Sequence, residues 1–213
     1  MTGAIADTSF SRRYAALVAG VAAIALVLQY ALALQQAAPG IGPAMTTLRY
    51  FSYFTILSNL MVMLACATAA LGLRGFFGKP SVRAATALCI GITGCIYATV
   101  LAGLYAMTGL QWWVDRTLHY ALPLLYLGWW LFANPHGSLG WRDAGKWLLL
   151  PLGYLAWIAI RVAWIERWFP YPFLDVDAQG SVVVLRNALL VAAGFALAAA
   201  LLLSLDRWLG RRR

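Results

Sequence analysis

The sequence is poor in charge, and above all in acidic residues. Of its 213 residues only 11% are charged, with 7 Asp and Glu against 16 Lys and Arg. A soluble domain carries about 25% charged residues. The hydrophobic content of 63% is also more apolar surface than one globule of this size can bury. The composition therefore excludes an ordinary soluble domain, and it excludes a disordered chain for the same reason.

Residue patterns for metal and nucleotide binding are also missing. The three cysteines, Cys66, Cys89 and Cys95, have a spacing that fits no metal or redox motif, and there are only two histidines. We interpret the cysteines as small buried apolar residues. The sequence has no Walker loop and no glycine fingerprint for a dinucleotide. We therefore predict no metal site and no cofactor.

Long apolar runs are what the chain has instead. A helix needs about 20 mostly apolar residues to cross a bilayer, and these runs lack the alternation of barrel strands. We predict an all-α polytopic membrane protein, with residues 1–213 forming a single integral membrane domain. Its bundle of six transmembrane helices is expected at about 14–36, 50–73, 84–108, 116–133, 146–168 and 182–205.

The basic residues predict the orientation of the bundle. Eleven of the 16 Lys and Arg fall on the side that holds both chain termini. Basic residues concentrate on the cytoplasmic side, so we expect both termini in the cytoplasm. The net charge of +9 then reflects topology, and no nucleic-acid partner is predicted.

The N-terminal segment allows a second interpretation. Residues 11–14 (SRRY) stand before an apolar run and resemble a twin-arginine export signal. The apolar core of a signal peptide has about 7–15 residues, whereas the run here is longer, at about 23 residues. We favour a first membrane helix, with the export signal as the alternative.

Polar side chains inside the predicted spans are the candidates for function, because such groups are costly in lipid and face the bundle interior. At about 1.5 Å per residue, four helices place polar groups at one depth near the outer end. We predict a pocket open toward the outer leaflet there, and little comparable polarity in the inner half. The polar groups at this depth are Ser52, Thr55 and Asn59 on one helix face, His119, Arg161, Arg186 and Asn187.

Each of these residues also has a purely structural interpretation. Thr55 could return its hydroxyl to a carbonyl one turn back, and His119 could be a satisfied interfacial histidine. Asn59 could hold helices together. Arg161 and Arg186 could extend their guanidinium groups to the headgroups. Their shared depth is what favours a functional role.

The chemistry that these groups support is nucleophilic acyl transfer. A threonine hydroxyl is a poor nucleophile until a base takes its proton, and histidine exchanges protons near neutral pH. His119 is the only histidine in a predicted span, since His136 falls in a turn that we expect to be solvated. We therefore predict Thr55 as the nucleophile and His119 as the general base.

Further groups would orient the base and stabilise an oxyanion. Asp115 lies four residues before His119 on the same helix face, although it could instead cap the helix. Glu166 and Asp175 in the outer loop are the alternative orienting groups. The candidates for binding an oxyanion or a substrate carboxylate are Asn59, Arg161, Arg186 and Asn187.

Four short segments, taken in order, resemble one known family. They are 50–60 (YFSYFTILSNL), 118–123 (LHYALP), 153–157 (GYLAW) and 171–175 (YPFLD). From the second to the sixth predicted helix, the chain resembles the androgen-induced-gene family of six-helix membrane proteins. Animal members of that family hydrolyse fatty acid esters of hydroxy fatty acids. The resemblance implies a catalytic threonine and histidine, which correspond to Thr55 and His119. The chain looks like a bacterial relative of this family, so we expect it in a bacterial inner (plasma) membrane.

The residues and the resemblance together predict an intramembrane threonine hydrolase that acts on a lipid ester. The resemblance implies a fatty acid ester of a hydroxy fatty acid as substrate. The expected partners are the membrane and a lipid substrate taken from it, while protein partners are unknown. One alternative is a non-catalytic lipid-binding or transport protein that uses the same polar pocket, although no inverted repeat supports a transporter. Another is a structural subunit of a larger complex.

Overall fold

The computed structural model describes residues 9–104 and 106–212. The fold is 81% helical, and these residues contain no β-strand, so the predicted all-α class is confirmed. The helices are α1 (Ser9–Gln35), α2 (Pro43–Phe51), α3 (Phe54–Ala70), α4 (Pro80–Ile96), α5 (Gly109–Arg116), α6 (Leu122–Ala133), α7 (Trp141–Trp147), α8 (Leu149–Trp164), α9 (Val176–Gln179) and α10 (Ser181–Arg211).

Several helices are long and apolar enough to cross a membrane, which indicates a membrane protein. Within the described ranges, four stretches meet this standard, and α2 with α3 counts as a fifth if the bent pair is one span. The predicted span 116–133 lies inside a continuous helical stretch over 109–133 and is not among them. The four stretches are Ser9–Gln35, Pro80–Leu101, Trp141–Trp164 and Ser181–Arg211.

The core of the bundle is built on small side chains. Helix α1 packs most extensively on α3, which in turn packs on α4, and α4 packs on α6. Small residues let helix backbones approach closely, and this favours association in lipid. The buried face of α1 repeats at helical spacing through Ala15, Val18, Ala22 and Ala25.

The cysteines follow the prediction in two of three cases. All three are free thiols. Cys66 and Cys89 are buried in α3 and α4, as expected. The expectation is wrong for Cys95, which is exposed because it lies on the outer face of α4.

The predicted second span is broken at residues 52–53. Helices α2 and α3 meet there at 74°, and Tyr53 has an extended backbone (φ −85°, ψ 125°). The prediction that Ser52, Thr55 and Asn59 share one continuous helix face is therefore wrong. Thr55 lies instead in the first turn of α3, where backbone N–H groups have no partner within the helix.

Two segments of wider, π-helical turns shape the same region. Tyr97–Leu101 continues α4, and Thr117–Ala121 joins α5 to α6. Pro123 explains the second segment, because a proline lacks the N–H and its ring clashes with the carbonyl four residues earlier, here that of His119. Such π turns are often found at functional sites, and these two carry Tyr97 and His119.

The turn after α6 is folded onto α10 rather than solvated, so the expectation for His136 is wrong. The His136 side chain is fully buried, with Nδ1 3.1 Å from Asp206 Oδ1 and Nε2 3.0 Å from the Leu131 carbonyl. Asp206 Oδ2 also accepts the backbone N–H groups of Gly137 and Leu139, at 3.0 and 3.2 Å. The carboxylate thus holds the turn against the end of α10.

More buried polar contacts lie at the same end of the bundle. Arg83 Nη1 donates to Asn134 Oδ1 at 2.8 Å, and the Tyr126 hydroxyl donates to the Arg83 carbonyl at 3.1 Å. The expectation that this half holds little polarity is therefore wrong. The polar residues flank predicted loops, and the sequence does not show which loops fold back into the bundle.

Candidate functional site

Thr55 and His119 meet where α3 begins against the π-helical segment between α5 and α6. Thr55 Oγ1 lies 3.2 Å from His119 Nε2, within hydrogen-bond reach. Thr55 is buried, at 7% exposure, and its hydroxyl is directed at the imidazole. The structural alternative, in which the Thr55 hydroxyl donates to a carbonyl of its own helix, does not fit this geometry.

The other nitrogen of His119 defines the tautomer. Nδ1 lies 2.9 Å from the Asp115 carbonyl oxygen and 3.1 Å from Asp115 Oδ1. Both atoms are acceptors, so Nδ1 carries the proton and the Nε2 lone pair faces Thr55. A histidine that is to accept a proton from a nucleophile needs this tautomer. Among the three predicted orienting groups, the structure brings Asp115 to His119.

Tyr97 completes this arrangement, and the sequence did not single it out. Its hydroxyl donates to Asp115 Oδ2, and its ring stacks on His119 with 3.9 Å between centroids and 18° between planes. Tyr97 therefore restrains both the carboxylate and the imidazole. No sequence signal marks it, because its position depends on the π turn at the end of α4.

Tyr171 is the second unpredicted member of the site. Its hydroxyl accepts the Thr55 backbone N–H at 3.2 Å and lies 3.3 Å from Thr55 Oγ1. Its ring stacks on Phe173, with centroids 5.2 Å apart. In the sequence, Tyr171 belongs to a segment that resembles the family, and nothing there assigns it a role. The structure puts an additional hydroxyl donor beside the candidate nucleophile.

Asn59 holds the two halves of the site together. Its Nδ2 donates to the Thr55 carbonyl at 2.8 Å and to the Leu118 carbonyl at 3.2 Å. Both amide hydrogens are used in this way, so neither is directed at an oxyanion. Asn59 therefore fixes α3 against the segment that carries His119, which is a positioning role.

Of the predicted residues, Arg161 and Glu166 pair with each other, and Glu166 also pairs with Arg49. Arg161 is fully buried and donates to the Trp168 carbonyl, with Nη1 3.6 Å from Glu166 Oε2. Arg49 Nε donates to Glu166 Oε2 at 3.0 Å. This bond holds the pKa of Glu166, which lies beyond the end of α8, below its ordinary value. Glu166 is thus a partner of arginines and does not orient His119.

Asp175, Arg186 and Asn187 are not brought to Thr55. Asp175 caps α9, because its Oδ1 accepts two backbone N–H groups of that helix at 2.9 and 3.0 Å. Arg186 is exposed and donates to Asn187 Oδ1 at 3.4 Å. Asn187 donates to the Phe173 carbonyl at 3.1 Å. These residues support the loop that carries Tyr171.

Two cavities of different character meet at Thr55. The polar cavity, of about 710 Å³, is lined by Thr55, Asp115, His119 and Arg49, and its rim is formed by loop residues. The apolar cavity, of about 270 Å³, lies between α3, α4, α8 and α10. Thr55 and Tyr171 line both cavities, so the candidate nucleophile stands at their shared wall.

A comparison with known proteins finds no match to this chain among protein-family models, curated proteins or solved structures. The interpretation of the site therefore depends on its own geometry. Across residues 9–104 and 106–212, no three His, Cys, Asp or Glu side chains converge on a point that could hold a metal ion. The groups at the site are a hydroxyl, an imidazole, a carboxylate and two phenols.

Gly94 on α4 permits the close approach that positions His119. A Cβ atom added there would lie 3.2 Å from the His119 carbonyl oxygen and 3.2 Å from Pro123 Cβ. We expect Gly94→Ala to displace the π-helical segment by a few tenths of an ångström and to lower the ester hydrolysis predicted from the sequence about 10-fold. Gly91→Ala is the matched control, because its Cβ would meet only Leu127 at 3.7 Å. Equal activity of the two variants in detergent would contradict this role of Gly94.

Proposed function

We propose that this protein is an intramembrane threonine hydrolase that cleaves a lipid ester. The observation that carries the proposal is the geometry of one pair. Thr55 Oγ1 lies 3.2 Å from His119 Nε2, while Nδ1 of the same ring is held by Asp115. Nucleophilic acyl transfer requires at least a hydroxyl and a base oriented to take its proton, and this pair supplies both.

The proposed reaction proceeds in two steps. Thr55 Oγ attacks the ester carbonyl while His119 Nε2 takes the hydroxyl proton. The bond between the carbonyl carbon and the alcohol oxygen then breaks, and His119 returns the proton to the departing alcohol. In the second step, a water molecule loses a proton to His119 and attacks the acyl-Thr55 ester. The acid is released and Thr55 recovers its proton, so the net reaction consumes one ester and one water.

Tyr171 and the start of α3 are the proposed oxyanion site. The Tyr171 hydroxyl lies 3.3 Å from the attacking oxygen, so it can donate to the oxyanion that forms on the ester's carbonyl oxygen, two bonds from Thr55 Oγ1. Thr55 also lies in the first turn of α3, where the partial positive charge of a helix N-terminus favours an anion. Hydrogen-bond donors placed in this way are worth roughly 10²–10³ in kcat.

The topology that accompanies this proposal has six membrane spans, with both termini in the cytoplasm of a bacterial cell. The described part of the chain supports a membrane-spanning bundle, because four to five of its helices are long and apolar enough to cross a membrane. The continuous helical stretch over 109–133 would be the remaining span. In this orientation, the rim of the polar cavity faces outward and the His136–Asp206 pair lies at the cytoplasmic end.

We further propose kinship with the androgen-induced-gene family. What supports it is that three of the resembling segments supply residues to one site: Thr55, His119 and Tyr171. In the remaining segment, the Tyr154 hydroxyl donates to the Ser52 carbonyl at 3.0 Å, at the break that places Thr55 in a first turn. Fatty acid esters of hydroxy fatty acids are accordingly among the substrates to be assayed.

Ester hydrolysis by the purified protein tests the proposed function. We expect the wild-type protein in detergent to release acid and alcohol in equal amounts from a panel of lipid esters, and His119→Gln to lose this activity. Release no faster than with heat-denatured protein would contradict the proposal. Lipid that copurifies without turnover would instead favour a non-catalytic lipid-binding or transport protein.

A further inference from the structure

We propose that the substrate is an ester of a medium-length acyl chain, of roughly nine carbons, with a polar alcohol. The inference assumes the hydrolase proposed above and assigns one cavity to each half of its substrate. Thr55 lies on the wall between the two cavities. An ester carbonyl at Thr55 Oγ1 therefore has one substituent on each side.

The position of His119 decides which half enters which cavity. His119 and Asp115 line the polar cavity and are absent from the residues around the apolar one. The leaving alcohol needs a proton from His119, and the water of the second step must reach the same nitrogen. Both therefore use the polar cavity, and the acyl chain that stays on Thr55 occupies the apolar cavity.

The apolar cavity is suited to a hydrocarbon chain. Its wall is formed by aliphatic and aromatic side chains, with Thr55, Thr93 and the two tyrosines as the polar exceptions. Thr93 donates to the Cys89 carbonyl at 2.9 Å, so its hydroxyl is satisfied within α4. Among the described residues, the remaining lining offers no charged group that would bind a polar substituent.

The volume of the apolar cavity sets how long an acyl chain can be and still bind entirely inside it. A methylene group is about the size of a water molecule, which takes roughly 30 Å³ of liquid. A cavity of about 270 Å³ therefore holds roughly nine carbons. Leu152 on α8, 55% exposed, and Ala192 on α10, also exposed, form part of its wall. A longer chain would emerge between these two helices into the bilayer.

The polar cavity fits an alcohol that forms hydrogen bonds. Besides Asp115 and His119, its lining includes Gln29, Gln111 and Arg49. Gln111 Nε2 donates to Gln29 Oε1 at 3.1 Å, while the buried Gln111 Oε1 has no partner among the described residues and can accept from a hydroxyl. Loop residues of high exposure surround the rim, so the released alcohol would leave toward water.

A series of acyl esters with one alcohol tests the assignment of the apolar cavity. We expect kcat/KM of the wild-type protein to rise from acetyl to octanoyl or decanoyl and to gain nothing at palmitoyl. Ala188→Phe fills the cavity from α10 and is expected to lower kcat/KM for decanoyl at least about 10-fold, with acetyl within about 2-fold. Ala193→Phe is the matched control, because Ala193 is exposed on the same helix and does not line the cavity.

A second variant keeps the test decisive if Ala188→Phe fails to fold. Val191 also lines the apolar cavity, and Val191→Ala enlarges it. The rise of kcat/KM with acyl chain length should therefore continue to longer chains in this variant. The alcohol half is tested with decanoyl glycerol against decyl decanoate, of which the glycerol ester should be the better substrate. Turnover with no dependence on chain length, or with both cavity variants like wild type, would overturn this assignment and leave the hydrolase standing. Absence of turnover on every ester would overturn the hydrolase itself.

Discussion

Thr55→Ala and His119→Ala are each expected to lower kcat for ester hydrolysis at least about 10³-fold. In the proposed mechanism Thr55 supplies the attacking oxygen, so its loss leaves only what substrate binding and the oxyanion donors contribute. His119 supplies the only base within hydrogen-bond distance of that oxygen in the described part of the chain. Without it the hydroxyl keeps its proton and remains a poor nucleophile.

The double variant sharpens this prediction. Catalytic groups that act as one unit are strongly non-additive, so Thr55→Ala with His119→Ala should be no slower than either single variant. If the two residues acted independently, the loss in kcat of the double variant would be the product of the two single losses. That result would mean that Thr55 and His119, 3.2 Å apart, do not act as a catalytic pair.

Two threonine variants separate chemistry from packing. Thr55→Ser keeps the hydroxyl and should retain measurable hydrolysis. Thr68→Ala is the matched control on the same helix, because the Thr68 hydroxyl only donates to the Leu64 carbonyl at 2.7 Å. It should behave like wild type. Full activity of Thr55→Ala, or equal losses in Thr55→Ala and Thr68→Ala, would contradict the role given to Thr55.

Asp206→Ala is expected to cost roughly 3–5 kcal/mol of folding stability, because the buried groups that now contact its carboxylate lose their partner at about 1–3 kcal/mol each. Asp206 is 1% exposed. Its carboxylate faces His136 Nδ1 and accepts two backbone N–H groups from the turn after α6. The other ring nitrogen of His136, Nε2, lies 3.0 Å from the Leu131 carbonyl oxygen. Without Asp206, the buried ring and two backbone N–H groups lose a partner.

Thermal unfolding in detergent, followed by the fluorescence of the 10 tryptophans, measures this cost. Ser204→Ala is the matched control on α10, since its exposed hydroxyl donates only to the Ala200 carbonyl at 2.8 Å. Its folding stability should stay within about 0.5 kcal/mol of that of wild type, and its unfolding midpoint should be nearly unchanged. A midpoint of Asp206→Ala equal to that of Ser204→Ala would contradict the role of the pair.

The sequence predicted the class of the fold better than the course of individual helices. Apolar runs report the solvent around a helix, so the all-α membrane class follows from composition. The break at residues 52–53 carries no proline and no glycine, and hydropathy does not register it. Pro123 was visible, but its effect on the turn of His119 depends on which carbonyl its ring displaces.

The candidate site shows the same division. Thr55 and His119 were found because polar groups at a common depth in lipid are costly, and depth can be counted along a helix. Tyr97 and Tyr171 were missed because tyrosines are common at membrane interfaces, so their type alone marks no site. The burial of His136 is not visible in the sequence, because whether a turn packs against a distant helix depends on the tertiary fold.

Mapping a covalent adduct on Thr55 tests the central claim most directly. A fluorophosphonate reacts with an activated hydroxyl, and the oxygen–phosphorus bond that forms replaces the bond to fluoride. Peptide mass spectrometry of the labelled wild-type protein should find the adduct on Thr55, and labelling should fall to background in His119→Gln. An adduct on Ser58 or Tyr171 instead, or labelling of Thr55 that does not depend on His119, would contradict the claim that the two residues act as nucleophile and base.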